Sequence, residues 1–330
     1  MTTSTDQPQP LEPEVQAHLD AGGNPGFDVA DVAARRTWLT DEIDRIFTLF
    51  GDPGPDLAEV RDHQVTVGGG TILVRSYHPS GDLAPGRPVP AHVLLHGGGW
   101  TTGSIDELVV DADARHRSTA ANCVVVAVEY RLAPEHRFPT AVHDVVHAVR
   151  WVRSHAAELG IDPNVITLGG GSAGGNLAAA AVVADPNLAV CALILEVPAC
   201  DLRPEALAND SVDADPRFAP IELALVDLAL REYLDDVAEA GSPLASPVLG
   251  DLVRFPETHI LTAELDLLRL GAERLAAGLQ AAGVPVTITC YPGALHGSPI
   301  LTGTWATARR WQNDVLAILD DIHRRARGTS

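Results

Sequence analysis

Apolar residues recur along the chain in two alternating rhythms. Short continuous runs mark strands buried on both faces: Ala91 to Leu95, Cys123 to Val128, Asn164 to Leu168, Ala189 to Leu195, Glu257 to Thr262 and Val284 to Tyr291. Between them the spacing turns helical: Asp111 to Asn122, Phe138 to Leu159, Leu177 to Ala184, Ala272 to Ala282 and Thr304 to Arg325. Phe138 to Leu159 is the clearest case, with Val142, Val145, Val146, Val149 and Val152 on one face. Such alternation predicts an α/β architecture, a mostly parallel sheet with helices on both faces. Chemistry in such sheets sits beyond the carboxyl ends of the strands.

Two stretches fall outside this rhythm. Residues 1–57 read as an N-terminal helical arm, with Val32, Leu39, Ile43, Ile46, Phe47 and Phe50 at helical spacing within Val29 to Phe50. Gly51-Asp52-Pro53-Gly54-Pro55 stops that helix. Strands His63 to Val67 and Thr71 to Tyr77 follow, joined through Gly68-Gly69-Gly70 as a hairpin. Residues 201–240 hold Asp and Pro clusters and then a helix-like Ile221 to Leu234, which reads as an insertion above the sheet. Residues 58–200 and 241–330 are left as the sheet-bearing domain.

Composition narrows the function. The 330 residues carry a net charge of −21, and all 23 basic residues are Arg. A nucleic-acid partner needs clustered cations, so the acidity argues against one. The absence of Lys excludes lysine Schiff-base chemistry and the P-loop lysine. Met1 to Pro13 is polar and Pro-rich, without the basic start and apolar core of a secretory signal, and no apolar run is long enough to span a bilayer. A cytoplasmic protein is therefore expected, with a homo-oligomer left open. Cys123, Cys191, Cys200 and Cys290 form no C-x-x-C pair and read as small core residues. His143 and His147 have the spacing of a helical zinc pair, but Asp144 stands where a Glu is expected and no third ligand is evident, so no metal is assigned.

Gly169 to Asn176 concentrates the chemistry, and it carries two overlapping frames. Gly170-x-Ser172-x-Gly174 is a nucleophile elbow between strand and helix, presenting the Ser172 hydroxyl at the sheet's edge. Gly169-x-Gly171-x-x-Gly174, with Glu196 downstream, is a dinucleotide fingerprint. Neighbouring segments favour the first. The strand ending at Leu95 runs into His96-Gly97-Gly98-Gly99-Trp100, whose bare backbone N–H groups can hold charge developing on a carbonyl oxygen. A serine nucleophile needs a base, and the base an orienting acid, in chain order Ser, acid, His. Asp266 lies beyond a strand end and is preferred over Glu264. His296 follows the next strand, whereas His323 lies in an Arg-rich helix end and reads as solvated.

Together these segments resemble the hormone-sensitive-lipase-like family of α/β-hydrolases, bacterial esterase branch. The residues that carry the resemblance are His96 to Trp100, Tyr130 to His136 with Phe138-Pro139, Gly170 to Asn176, Ala263 to Asp266 and the His296 loop. It spans about residues 60 to 325. The resemblance implies an eight-stranded α/β-hydrolase sheet and a cap built from residues 1–57 and 201–240. It also implies Ser172 as nucleophile, His296 as general base and then acid, Asp266 as orienting acid, and the N–H groups of Gly97, Gly98 and Ala173 as oxyanion donors. Which two of the three loop glycines donate is left open. His96 and the Tyr130 to Pro139 segment become scaffold. The implied activity is a serine carboxylesterase acting on small-molecule esters of short to medium chain, without cofactor. A lactonase or acyltransferase would share the triad, and a non-catalytic small-ligand receptor would share the fold. Some positions depart from the family pattern: Gly171 before the serine, Leu267 and Leu270 where Pro and Asp are common, and Ala294 and Ser298 beside the histidine.

Overall fold

A computed structural model describes residues 10–23, 31–80 and 88–328. Eight strands form one sheet: β1 (Glu59–Val67), β2 (Gly70–His78), β3 (Val89–Leu95), β4 (Val124–Glu129), β5 (Ile161–Gly171), β6 (Ala192–Glu196), β7 (Glu257–Ala263) and β8 (Val286–Tyr291). Their order is β1-β2-β4-β3-β5-β6-β7-β8. β2 pairs antiparallel with β1 and with β4, and every other pairing is parallel. The central strands are apolar throughout because helices cover both faces, and all seven residues of β3 are buried.

One face carries α4 (Thr140–Ser154), α6 (Ala173–Ala184) and α9 (Arg269–Ala281), and the other carries α3 (Leu108–Ala120) and α10 (Ala306–Gly328). Alternation along β3 serves both: Val93 and Leu95 pack toward α4 and α6, and Leu94 toward α10. α6 is enclosed on all sides, with Leu177 and Ala178 to Ala181 fully buried.

α1 (Pro13–Ala21) and α2 (Val32–Phe50) make up the described part of the N-terminal arm. The expected helix start at Val29 and most of the Met1 to Pro13 opening lie outside the described residues. The insertion holds α7 (Pro204–Asp213) and α8 (Ala219–Tyr233). Arg35 of α2 pairs with Glu232 of α8. Arg36 reaches the carbonyls of Thr101 and Ala133 at 2.7 Å each, tying the arm to the loop after β3.

Several boundaries differ from expectation. The helix read across Phe138 to Leu159 is two helices, because Pro139 bars Phe138 from helical geometry and the chain breaks at His155 before α5 (Ala156–Leu159). α7 begins at a proline in the first helical position, a start signal obscured by the surrounding Asp residues. Cys290 is exposed rather than core, since β8 closes the sheet's edge and shows four exposed residues in its six. His323 is fully buried, not solvated: it falls on the apolar face of α10 with Trp311, Val315 and Leu319, and its ring meets Thr167 at 3.5 Å. Among the described residues no helix is long and apolar enough to cross a membrane, and no cluster of His, Cys, Asp and Glu could hold a metal.

Candidate active site

Ser172 sits between β5 and α6 with φ 55° and ψ −115°, a backbone conformation that costs a non-glycine residue about 1–3 kcal/mol. The surroundings hold it there. Its N–H donates to the Glu196 carbonyl at 2.8 Å, and its carbonyl accepts the Asn176 N–H at 3.0 Å. Two glycines of the elbow permit the close approach to β3. A Cβ on Gly170 would lie 2.2 Å from the Leu95 carbonyl oxygen, and one on Gly174 would lie 2.3 Å from it. Gly171 faces open space, so its departure from the family pattern has no steric cause.

The structure brings Ser172, His296 and Asp266 together. Ser172 Oγ lies 2.9 Å from His296 Nε2, and His296 Nδ1 lies 2.8 Å from Asp266 Oδ2. The carboxylate can only accept, so Nδ1 carries the proton and Nε2 is the bare acceptor facing the serine. Asp266 is buried and also accepts the Leu268 N–H at 2.9 Å. Glu264, the rival acid, is exposed and accepts the Gly293 N–H at 2.7 Å instead. The acid loop and histidine loop are joined where the Leu265 N–H donates to the Ala294 carbonyl at 2.9 Å. Ser298 closes the histidine loop by accepting the Leu295 N–H at 2.8 Å.

Burial alone would lower the His296 pKa. The Asp266 charge and hydrogen bond, with the Glu222 charge beyond, outweigh it and hold the ring above its ordinary value of 6.5. Glu222 belongs to α8 and accepts the Leu267 N–H at 2.9 Å. No motif marks Glu222, one acid among many in the insertion.

The glycine loop lies beside the serine, where a Cβ on Gly97 would come within 3.7 Å of the Ser172 Cβ. Gly98 has φ 110°, and a Cβ there would lie 2.2 Å from the Thr102 carbonyl oxygen. Among the described residues the N–H groups of Gly97, Gly98 and Ala173 donate to no protein acceptor. His96 stacks on Tyr130 at 4.1 Å, and the Tyr130 hydroxyl donates to the His96 carbonyl at 2.9 Å. Trp100 Nε1 donates to Asn176 Oδ1 at 3.2 Å, while the Asn176 amide donates to the carbonyls of Ala199 and Ala245 at 2.7 and 2.8 Å. Asn176 thus joins the glycine loop, the elbow helix and the segment after β6. Arg131 of the Tyr130 segment grips the buried Asp144 of α4, with Nη2 to Oδ1 at 2.6 Å.

Glu196, the acid of the dinucleotide frame, is buried and already engaged. It accepts from Arg117 Nη2 at 2.5 Å and from Trp311 Nε1 at 2.9 Å. Its side chain anchors the floor beneath the elbow and offers nothing to a ribose. His143 and His147 lie on α4, where His147 Nδ1 donates to the His143 carbonyl at 2.6 Å.

Comparison with known proteins agrees with this fold. The family described as alpha/beta hydrolase fold matches residues 92–300. An arylesterase of Saccharolobus solfataricus is 35% identical over 320 residues, covering 95% of this chain and 99% of the relative. A carboxylesterase of Mycobacterium tuberculosis is 37% identical over 254 residues, 73% of this chain and 76% of that one. Among solved structures, a hyperthermophilic esterase from Pyrobaculum calidifontis superposes with TM-score 0.84 at 31% identity, covering 95% of this chain and 99% of that one. A thermostable carboxylesterase cloned from a metagenomic library gives 0.80 at 34% identity, covering 90% and 99%.

Proposed function

The chain is a carboxylic ester hydrolase of the hormone-sensitive-lipase-like family of α/β-hydrolases, and on that premise we propose that it cleaves short- to medium-chain esters through an acyl-enzyme on Ser172. The observation that carries this reading is the unbroken line from Ser172 Oγ through His296 to Asp266, at 2.9 and 2.8 Å.

The steps follow from the donors and acceptors. His296 Nε2 takes the Ser172 proton as Oγ bonds to the ester carbonyl carbon, and the carbonyl electron pair moves onto oxygen. The N–H groups of Gly97, Gly98 and Ala173 receive that oxyanion; each such donor contributes about 10²- to 10³-fold in rate. Asp266 holds Nδ1–H and stabilises the imidazolium. The imidazolium then protonates the departing alcohol as the carbon–oxygen bond breaks. Water, deprotonated by His296, attacks the acyl carbon; the bond from that carbon to Ser172 Oγ then breaks, and the imidazolium returns the proton to Oγ as the acid leaves. These steps use only this chain's residues and water.

The N-terminal arm and residues 201–240 serve as the cap over this rim. Their contacts support that role: α2 ties to the glycine loop through Arg36, and α8 lies against both that loop and the acid loop. The test is a panel of p-nitrophenyl esters of graded acyl length, run on the protein and on Ser172→Ala. Turnover should be greatest at short to medium acyl chains and absent in the variant, which folds as the parent does. Turnover retained by Ser172→Ala would overturn the mechanism, and a preference for long chains would overturn the substrate class.

A further inference from the structure

α8 spans the active site. Near its start, Glu222 meets the acid loop through the Leu267 N–H at 2.9 Å. Seven residues later, two helical turns on, Ala229 lies against the glycine loop: a Cβ on Gly99 would come within 3.2 Å of the Ala229 Cβ. Tyr233, at the end of the helix, stacks on Trp100 at 4.6 Å. One helix of the insertion therefore touches both halves of the catalytic rim.

The Glu222 contact depends on one residue. Leu267 directly follows Asp266, and a proline at 267 would have no N–H to give. Glu222 is partly buried, so its charge is weakly screened from the ring at His296. The charged groups around this spot are few. Asp266 and His296 face Glu222 from the loops after β7 and β8, and Asp215 faces it from the turn before α8, where Arg217 pairs with it at 2.6 Å. Arg269 is engaged elsewhere by Glu273 at 2.9 Å, and Glu264 by Gly293.

We propose that Glu222 is a positioning residue for ester hydrolysis: a cap carboxylate that anchors the acid loop and places a second negative charge behind the His296 imidazolium. This rests on the reading of Ser172, His296 and Asp266 given above. With Glu222 held at the Leu267 N–H, the relay works against two carboxylates. The carboxyl itself is held above its usual range by burial and by the Asp266 charge, so it discharges as pH falls and its support fades in acid.

The test is the pH dependence of kcat/KM for the parent and Glu222→Gln, with Ser172→Ala as control. The Gln amide oxygen can still accept from Leu267, so the substitution removes charge but keeps the anchor. Its acid-limb midpoint should fall by roughly half to one pH unit, with a plateau reduced by no more than about threefold. Glu222→Ala, which loses the anchor too, should share that midpoint at a lower plateau. A midpoint unmoved in Glu222→Gln would overturn the proposal, because a purely structural role scales the whole profile without shifting it. Should the Gln variant not fold, Glu222→Ala is titrated instead, since it also removes the charge, and an unmoved midpoint there overturns the proposal equally. Turnover surviving in Ser172→Ala would instead indict the triad itself.

Discussion

Leu177 of α6 and Leu225 of α8 are both apolar residues in helices beside the active site, yet Leu177 is fully enclosed and Leu225 is 61% exposed. The contrast runs through both regions. Below Ser172, Gly170 and Gly174 pack against the Leu95 backbone and Asn176 satisfies three partners. In the insertion, Val212, Ile221 and Leu225 are exposed, and α8 is held along one side at Glu222, Ala229, Leu230, Glu232 and Tyr233. A strained serine persists only where its surroundings over-determine it. On the proposed mechanism the floor sets the chemistry, and α8 adjusts it through Glu222.

Substitutions on the floor should cost the most. His296→Ala should lower kcat about 10⁴- to 10⁶-fold, the scale for removing a group that acts as part of a unit, while the thermal transition stays near the parent's. A loss of only tenfold in steady-state assays would mean another base serves Ser172. Leu177→Ala should destabilise the fold by about 2–5 kcal/mol, and Leu225→Ala by less than about 0.5 kcal/mol; denaturant titration reads both, and equal losses would erase the distinction between floor and cap. Within the elbow itself, Gly174→Ala should cost about 1–3 kcal/mol by forcing a Cβ toward the Leu95 carbonyl, whereas Gly171→Ala, which meets nothing, should stay within about 0.5 kcal/mol. The smallest effect is a shift in pH. Only neutral His296 accepts the serine proton, and its pKa stands above 6.5. The rate should therefore fall on acidification with a midpoint above that value, and a midpoint below it would contradict the charge arrangement described.

Most of the floor could be read from the sequence because backbone rules leave visible marks there. Parallel strands buried on both faces read as apolar runs, and the tight passage from β5 into α6 demands glycines at 170 and 174. Chain order then placed Asp266 and His296 at one rim, since each follows a strand of the same parallel sheet. The choice of Asp266 over Glu264 followed from its place beyond β7, and the structure accordingly seats Asp266 at His296 and turns Glu264 toward Gly293. What stayed hidden depends on packing between distant elements. The Arg-rich end of α10 masked the i, i+4 ladder from Trp311 to His323 that buries His323. Glu196 sat in a plausible dinucleotide frame, and only the approach of Arg117 and Trp311 reveals its role as an anchor. Glu222 carried no signal at all, because its contact is with an N–H 45 residues away.

The most direct test of the central claim is to label the protein with a fluorophosphonate and map the adduct by peptide mass spectrometry. One phosphonyl group per chain is expected, on Ser172, absent in Ser172→Ala and strongly slowed in His296→Ala. Ester hydrolysis that proceeds undiminished while Ser172 remains unlabelled, or a stoichiometric adduct on any other residue, would contradict it.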